Sequence, residues 1–210
     1  MNSYRNHDEW RDGFLFVGNQ LALDFLNTRP LMDGQFVELL PDVAALLRWY
    51  VAAELIEERQ SAKLLREWKE NRKATRVVDS IREFRERLRE QILAWEDGRN
   101  LRRSTLEELD RLLATHPMLT RMRFGKDQPT TELWFPVDVP EDLFAPLAYS
   151  VAKLFSEADR SRIRKCGACI LHFLDSSKKG NRHWCSMQLC GNRAKVAAYA
   201  ARQTAGESME

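Results

Sequence analysis

Cys166-Gly167-Ala168-Cys169, then fifteen intervening residues, then Cys185-Ser186-Met187-Gln188-Leu189-Cys190: these two pairs are the whole cysteine content of a 210-residue chain. Two close thiolate pairs at the ends of a short connection supply the four soft ligands of a tetrahedral Zn²⁺ with little chain to order. Disulfides need an oxidising compartment, and the N-terminus, Met1 to Glu9, is polar with no apolar stretch of a secretory signal. A cytoplasmic location is therefore expected. A thioredoxin-like redox pair needs one CxxC and leaves Cys185 and Cys190 without a role. Four thiolates close the site, so the zinc is expected to be structural, with His172 and His183 as surface or packing residues.

Outward from the cysteines, the segment organises itself around them. Ile163-Arg164-Lys165 reads as a strand entering the first pair, and Gly167 permits a tight knuckle. Leu171 to Leu174 alternates as a strand, and Asp175 to Asn181 is a turn rich in loop formers. Cys185-Ser186 then begins a helix expected to reach about Gln203. Knuckle, hairpin and ligand-bearing helix describe a treble clef, with Phe173 and Trp184 packed round the metal.

Charge is strongly segregated. Residues 160–202 carry ten Lys/Arg against one acid, Asp175, a balance of +9, while residues 1–159 balance to −5. A tetrathiolate zinc centre carries −2, so some of the excess neutralises it and the remainder suits a polyanion. On the last helix Asn192, Lys195, Tyr199 and Arg202 share a stripe at 100° per residue, and Lys178, Lys179 and Arg182 surround the turn. These seven are the candidate nucleic-acid contacts, DNA favoured over RNA. Arg193 falls on the apolar side and is expected to bridge to the hairpin or to the preceding domain.

The first 159 residues read as mainly helical with a small antiparallel sheet, so the fold class is α+β. Phe14 to Gly18 reads as a strand, and residues 19–27 as a short helix with Asn19 as its cap. Helices follow from Pro41 to Ala53, Arg59 to Glu70 and Ala74 to Trp95. The outer Arg/Glu face of the last of these, including Arg85, has alternating signs and reads as solvated. Ser104-Thr105-Leu106-Glu107 looks like a capping box. Met118 to Phe124 and Glu132 to Val137 form a hairpin, and a final helix starts at Pro140. The expected domains are 1–159 and 160–210. Asp24 and Asn27, on the early helix, are the candidates for a ligand pocket, although Asn27 reads equally as a helix terminus. No apolar run reaches membrane-span length.

Arg182 to Met187 and Cys190-Gly191-Asn192-Arg193-Ala194-Lys195 resemble the CGNR zinc-finger family, as do Phe173 to Ser177, Tyr199 and Arg202. Ser176 stands where many members have Thr, His183 where many have Arg, and the first cysteine pair is one residue tighter than is usual there. Gly18 to Thr28 (GNQLALDFLNT) resembles the opening of the ABATE domain that commonly precedes this finger. The resemblance implies a bacterial stress-induced transcription regulator: an α/β domain that senses a ligand, followed by a treble-clef finger that binds DNA. A single finger offers too little contact for sequence specificity, so a homodimer is expected. The alternatives are a zinc module that docks on protein, or RNA binding. An enzyme is not expected, since His183 with Asp175 is the only local acid–base pair and the thiolates already occupy the metal.

Overall fold

The computed structural model describes residues 9–32, 34–125, 128–197 and 199. A hairpin of β1 (Trp10–Arg11) and β2 (Phe14–Leu15) leads into α1 (Leu21–Leu26), and a second hairpin follows, β3 (Leu31–Met32) with β4 (Gln35–Phe36). Four helices come next: α2 (Val43–Ala52), α3 (Glu58–Trp68), α4 (Arg72–Glu96) and α5 (Arg103–Thr115). Strands β5 (Leu119–Arg123) and β6 (Thr130–Trp134) pair antiparallel, with Arg121 opposite Glu132. A 3₁₀ turn, Pro140–Leu143, runs into α6 (Phe144–Glu157), and β7 (Ile163–Lys165) pairs antiparallel with β8 (His172–Leu174). The antiparallel structure expected in residues 1–159 takes the form of three separate two-stranded ribbons among the described residues, and β7 with β8 is the hairpin expected in the cysteine segment. Each is too short to bury a face of its own and leans on helices instead.

Helix α4 shows how pattern becomes structure. Asn71 caps it, its side chain accepting from the Lys73 and Ala74 amides. Val77, Val78, Ile81, Phe84, Leu88 and Ile92 recur at helical spacing and are all buried, and Gly98 at φ +84° follows the C-terminal end. They pack with Phe25, Leu26, Trp49, Leu147 and Ala148 in the main core, where the Phe25 ring centroid lies 5.9 Å from that of Trp49.

The outer face of α4 is not uniformly solvated. Arg85 is buried, and its guanidinium donates to both carboxylate oxygens of Glu38 and, at 2.9 Å, to Thr28 Oγ1. Arg89 donates to the Leu26 carbonyl at 2.8 Å. Alternating charge hid two residues that fasten α4 to the end of α1 and to the segment after it. Two caps also differ from expectation. Gln20, not Asn19, caps α1, because Asn19 adopts φ +56° and turns its amide elsewhere. Helix α5 begins at Arg103, so Ser104 lies inside it and caps nothing.

The segment 14–17 (Phe-Leu-Phe-Val) explains the molecule's arrangement. Phe14 and Phe16 belong to the main core, whereas Leu15 and Val17 belong to a second cluster with Cys166, Leu171, Phe173, Cys185 and Cys190. Side chains alternate across an extended strand, so one short run serves two cores. The cysteine segment is therefore packed onto the N-terminal domain through this shared wall.

Candidate metal centre and basic face

The four Sγ atoms of Cys166, Cys169, Cys185 and Cys190 lie within 4.8 Å of one another. Cys169 Sγ is 3.7 Å from Cys185 Sγ, which is 3.6 Å from Cys190 Sγ. Four sulfurs at Zn–S bonds of about 2.3 Å in a tetrahedron are about 3.8 Å apart, so the cluster already has the size of a metal site. Three of the cysteines are buried and Cys169 is partly exposed. The Cys169 thiol is drawn down to about 5 by hydrogen bonding with Cys185, the same bond that pushes Cys185 far up, while burial pushes Cys190 up to about 12. A divalent cation at their centre deprotonates all its thiol ligands.

The scaffold around the sulfurs is local and tight. The Cys166 amide donates to the Leu171 carbonyl at 2.9 Å and the Gly167 amide to that of His183 at 2.9 Å, which ties the knuckle to the second pair. A Cβ on Gly167 would stand 3.1 Å from the Trp184 ring, and one on Gly191 would stand 3.2 Å from the same indole. Trp184 is thus wedged between the glycines that follow Cys166 and Cys190. Ser186 caps the next turn, accepting from the Leu189 amide at 3.1 Å, and its hydroxyl donates to the Glu9 carboxylate. Cys190 sits in a π-helical turn, Met187–Gly191, and residues 192–197 continue as α-helix. The order is strand, knuckle, strand, loop, helix.

Contacts across the expected boundary at residue 159 are specific. Asn27 Nδ2 donates to the His172 carbonyl at 2.9 Å, and the His172 amide donates back to Asn27 Oδ1 at 3.0 Å. The Leu174 amide donates to the Gly18 carbonyl at 2.8 Å, and Asn19 Nδ2 donates to the Leu174 carbonyl at 3.0 Å. The free edge of β8 is therefore paired along its length by residues 18–27. Buried His172 places Nε2 3.0 Å from a Glu96 carboxylate oxygen.

These contacts give Asn27, one of the two ligand-pocket candidates, partners within the protein. Asp24 and Asn27 are both buried, and neither lines any of four cavities among the described residues. Asn27 is a strap between the domains. Asp24 Oδ1 accepts from the Gly18 amide at 2.7 Å, while its buried Oδ2 has no protein partner. Burial pushes the Asp24 carboxyl up to about 7, against the opposing pull of the Gly18 amide.

The seven candidate nucleic-acid residues separate into groups. Lys178 and Lys179 are exposed at the tip of a turn closed by Gly180 at φ +62°. Asn192, Lys195 and Tyr199 are exposed on the final helix. Arg202 lies outside the described residues. Arg182 also has internal partners: its Nε donates to the Trp184 carbonyl at 2.7 Å, Nη2 donates to that of Cys185, and the guanidinium lies 4.6 Å from the Phe173 ring centroid. Backbone carbonyls carry no sequence signal, so this internal role was invisible in the pattern. Arg193 reaches the Ala168 carbonyl at 3.5 Å and Cys190 Sγ at 3.7 Å, bridging the helix to the knuckle. Asp175 is buried; although burial opposes it, hydrogen bonds from Ser177 and from the Arg182 amide at 2.8 Å hold its carboxyl below the usual range. It staples the turn.

Residues 19–158 match the ABATE family, described as "putative stress-induced transcription regulator", and residues 162–203 match the CGNR zinc finger. No curated protein matches the chain. Among the described residues no helix is long and apolar enough to cross a membrane.

Proposed function

The chain belongs to the ABATE family and carries a CGNR zinc finger, and from that premise we propose that it regulates transcription by binding DNA through a finger folded on one structural zinc ion. The observation that carries this reading is the excess of positive charge on the finger, ten Lys/Arg against one acid over residues 160–202. In the N-terminal domain, where acids outnumber bases, many cations meet acids, among them Arg48 with Asp12, Arg87 with Glu108, Arg121 and Arg123 with Glu132, and Lys153 with Glu157. Lys178, Lys179 and Lys195 are exposed on the finger, and no acidic side chain pairs with them among the described residues. Unpaired lysines on a rigid scaffold release counterions when they meet phosphates.

The order of strand, knuckle, strand and ligand-bearing helix supports a treble clef, and four thiolates without an open position suit zinc in a structural role. The activity proposed is binding, with no catalytic step. A ligand of the N-terminal domain tunes it, and DNA is bound as a homodimer. A second reading, docking on a protein, is favoured by Met187 and Val196, apolar side chains that are respectively 48% and 69% exposed on the finger.

Fluorescence anisotropy of zinc-loaded protein against labelled duplex DNA and RNA, over a salt series, tests the proposal. The triple variant Lys178→Ala/Lys179→Ala/Lys195→Ala is expected to flatten the dependence of log K on log salt by about 3, roughly one per lost phosphate contact. Equal slopes for variant and wild type would move the finger to protein docking.

A further inference from the structure

A cavity of about 760 Å³ lies where the C-terminal end of α4 meets the finger. That size is within the range of small-molecule sites, roughly 300–1,000 Å³. Its walls come from both sides of the joint: Trp95 from α4, Arg160 after α6, Arg164 and Lys165 on β7, Arg182 and His183 before the second cysteine pair. Its two acids are already engaged. Glu96 faces His172 at 3.0 Å, and Asp159 accepts from the Ser161 amide at 2.9 Å.

The cations retain capacity. Arg160 donates to the Trp95 carbonyl and Arg182 to two carbonyls, bonds that leave their charge uncompensated. Arg164 donates Nη2 to the Gly180 carbonyl at 2.6 Å, but its Nε is buried with no hydrogen-bond partner, 3.6 Å from Asp175. Lys165 is exposed and no partner for it is found among the described residues. Trp95, packed edge-on against Phe155 at 5.3 Å, adds an aromatic wall with the Arg160 guanidinium over its ring at 5.6 Å. Planar guanidinium forks beside an aromatic ring suit a ligand with a phosphate end and a flat end.

We propose that this cleft binds a small phosphate-bearing anion of nucleotide type, and that the bound ligand holds the finger against the N-terminal domain. Its regulatory consequence rests on the ligand-tuned function proposed above; its binding does not. Coupling to the metal follows from Gly167 and His183, which line the cleft and hydrogen-bond each other at 2.9 Å across the knuckle. A ligand that braces them slows metal loss, and by linkage the metal tightens the ligand.

The test is calorimetric titration of the zinc-loaded full chain with ADP and with inorganic pyrophosphate at fixed ionic strength. Lys165→Glu serves as the cleft variant and Lys195→Glu as the control outside the cleft, both checked for one zinc per chain. The expected result is saturable binding of both probes, with ADP the tighter. Lys165→Glu weakens each at least tenfold, Lys195→Glu changes neither by more than twofold, and ADP slows zinc transfer to a chelator. Absence of binding, or equal weakening by the two variants, overturns the proposal. So does displacement of ADP by a short DNA duplex, which would make the cleft part of the nucleic-acid surface. DNA binding measured on the same proteins fails or survives independently of these outcomes.

Discussion

Replacing Asn27 by alanine deletes two hydrogen bonds at once and leaves the His172 amide and carbonyl without partners. His172 is 2% exposed, so water cannot readily take their place. An orphaned buried donor or acceptor costs about 1–3 kcal/mol, which puts the loss for the pair at about 4 kcal/mol. The cost falls on docking of β8 against α1, because Asn27 touches neither the metal ligands nor the centre of the main core. Hydrogen exchange followed residue by residue on zinc-loaded protein reads it directly. Protection of the His172 and Leu174 amides is expected to fall by about three powers of ten, since about 1.4 kcal/mol is tenfold. Amides in α4 keep theirs, and the zinc content stays at one per chain. Asn27→Asp is at least as damaging, because it retains an acceptor for the His172 amide but turns a carboxylate toward the His172 carbonyl. Protection within threefold of wild type in Asn27→Ala would refute the strap.

Asp24 makes stability depend on pH in an unusual direction for a carboxylate. Its native value of about 7 exceeds the ordinary 3.8, so between those values the native state binds more protons and stability falls as pH rises. The full effect is about 4 kcal/mol, and Asp24→Asn is expected to flatten that part of the profile in denaturation from pH 4 to pH 8; an unchanged slope would contradict it. Removing the metal with a chelator is expected to disorder residues 163–197 while circular dichroism retains the helical signal of residues 21–157; a global collapse of that signal would show that the main core depends on the finger. Arg182→Ala is expected to destabilise the finger by about 2 kcal/mol and to speed zinc loss, whereas Lys195→Ala leaves both unchanged and weakens only nucleic-acid binding. Zinc transfer kinetics for the two variants decide between them.

Residues whose role is set by their own neighbours in sequence were legible. Two cysteine pairs imply one metal wherever the chain goes, and the 3.6-residue rhythm of α4 survives any packing arrangement. What escaped depends on distant partners. Asn27 is the helix end that the sequence suggests, but what its side chain does shows only when β8, 145 residues later, is laid beside it. Arg182 looks like another finger cation, yet its guanidinium also ties the finger's own backbone through the Trp184 and Cys185 carbonyls. Arg85 sits in a run of alternating charges, and only the return of Glu38 against α4 buries it. The run Phe14 to Val17 announced a strand but not its two clients, since apolar alternation cannot say that both faces are covered.

The central claim is that four thiolates hold one metal ion that shapes a nucleic-acid-binding face. Its most direct test is a metal titration of chelator-stripped protein, with Co²⁺ as the visible probe and Zn²⁺ as competitor, and with labelled duplex DNA followed by anisotropy in the same cuvette. The account predicts intense tetrahedral Co²⁺–thiolate bands saturating at one equivalent, their bleaching by Zn²⁺, and DNA binding that appears in step with metal loading. Tight metal uptake with DNA affinity unchanged between stripped and loaded protein would contradict it.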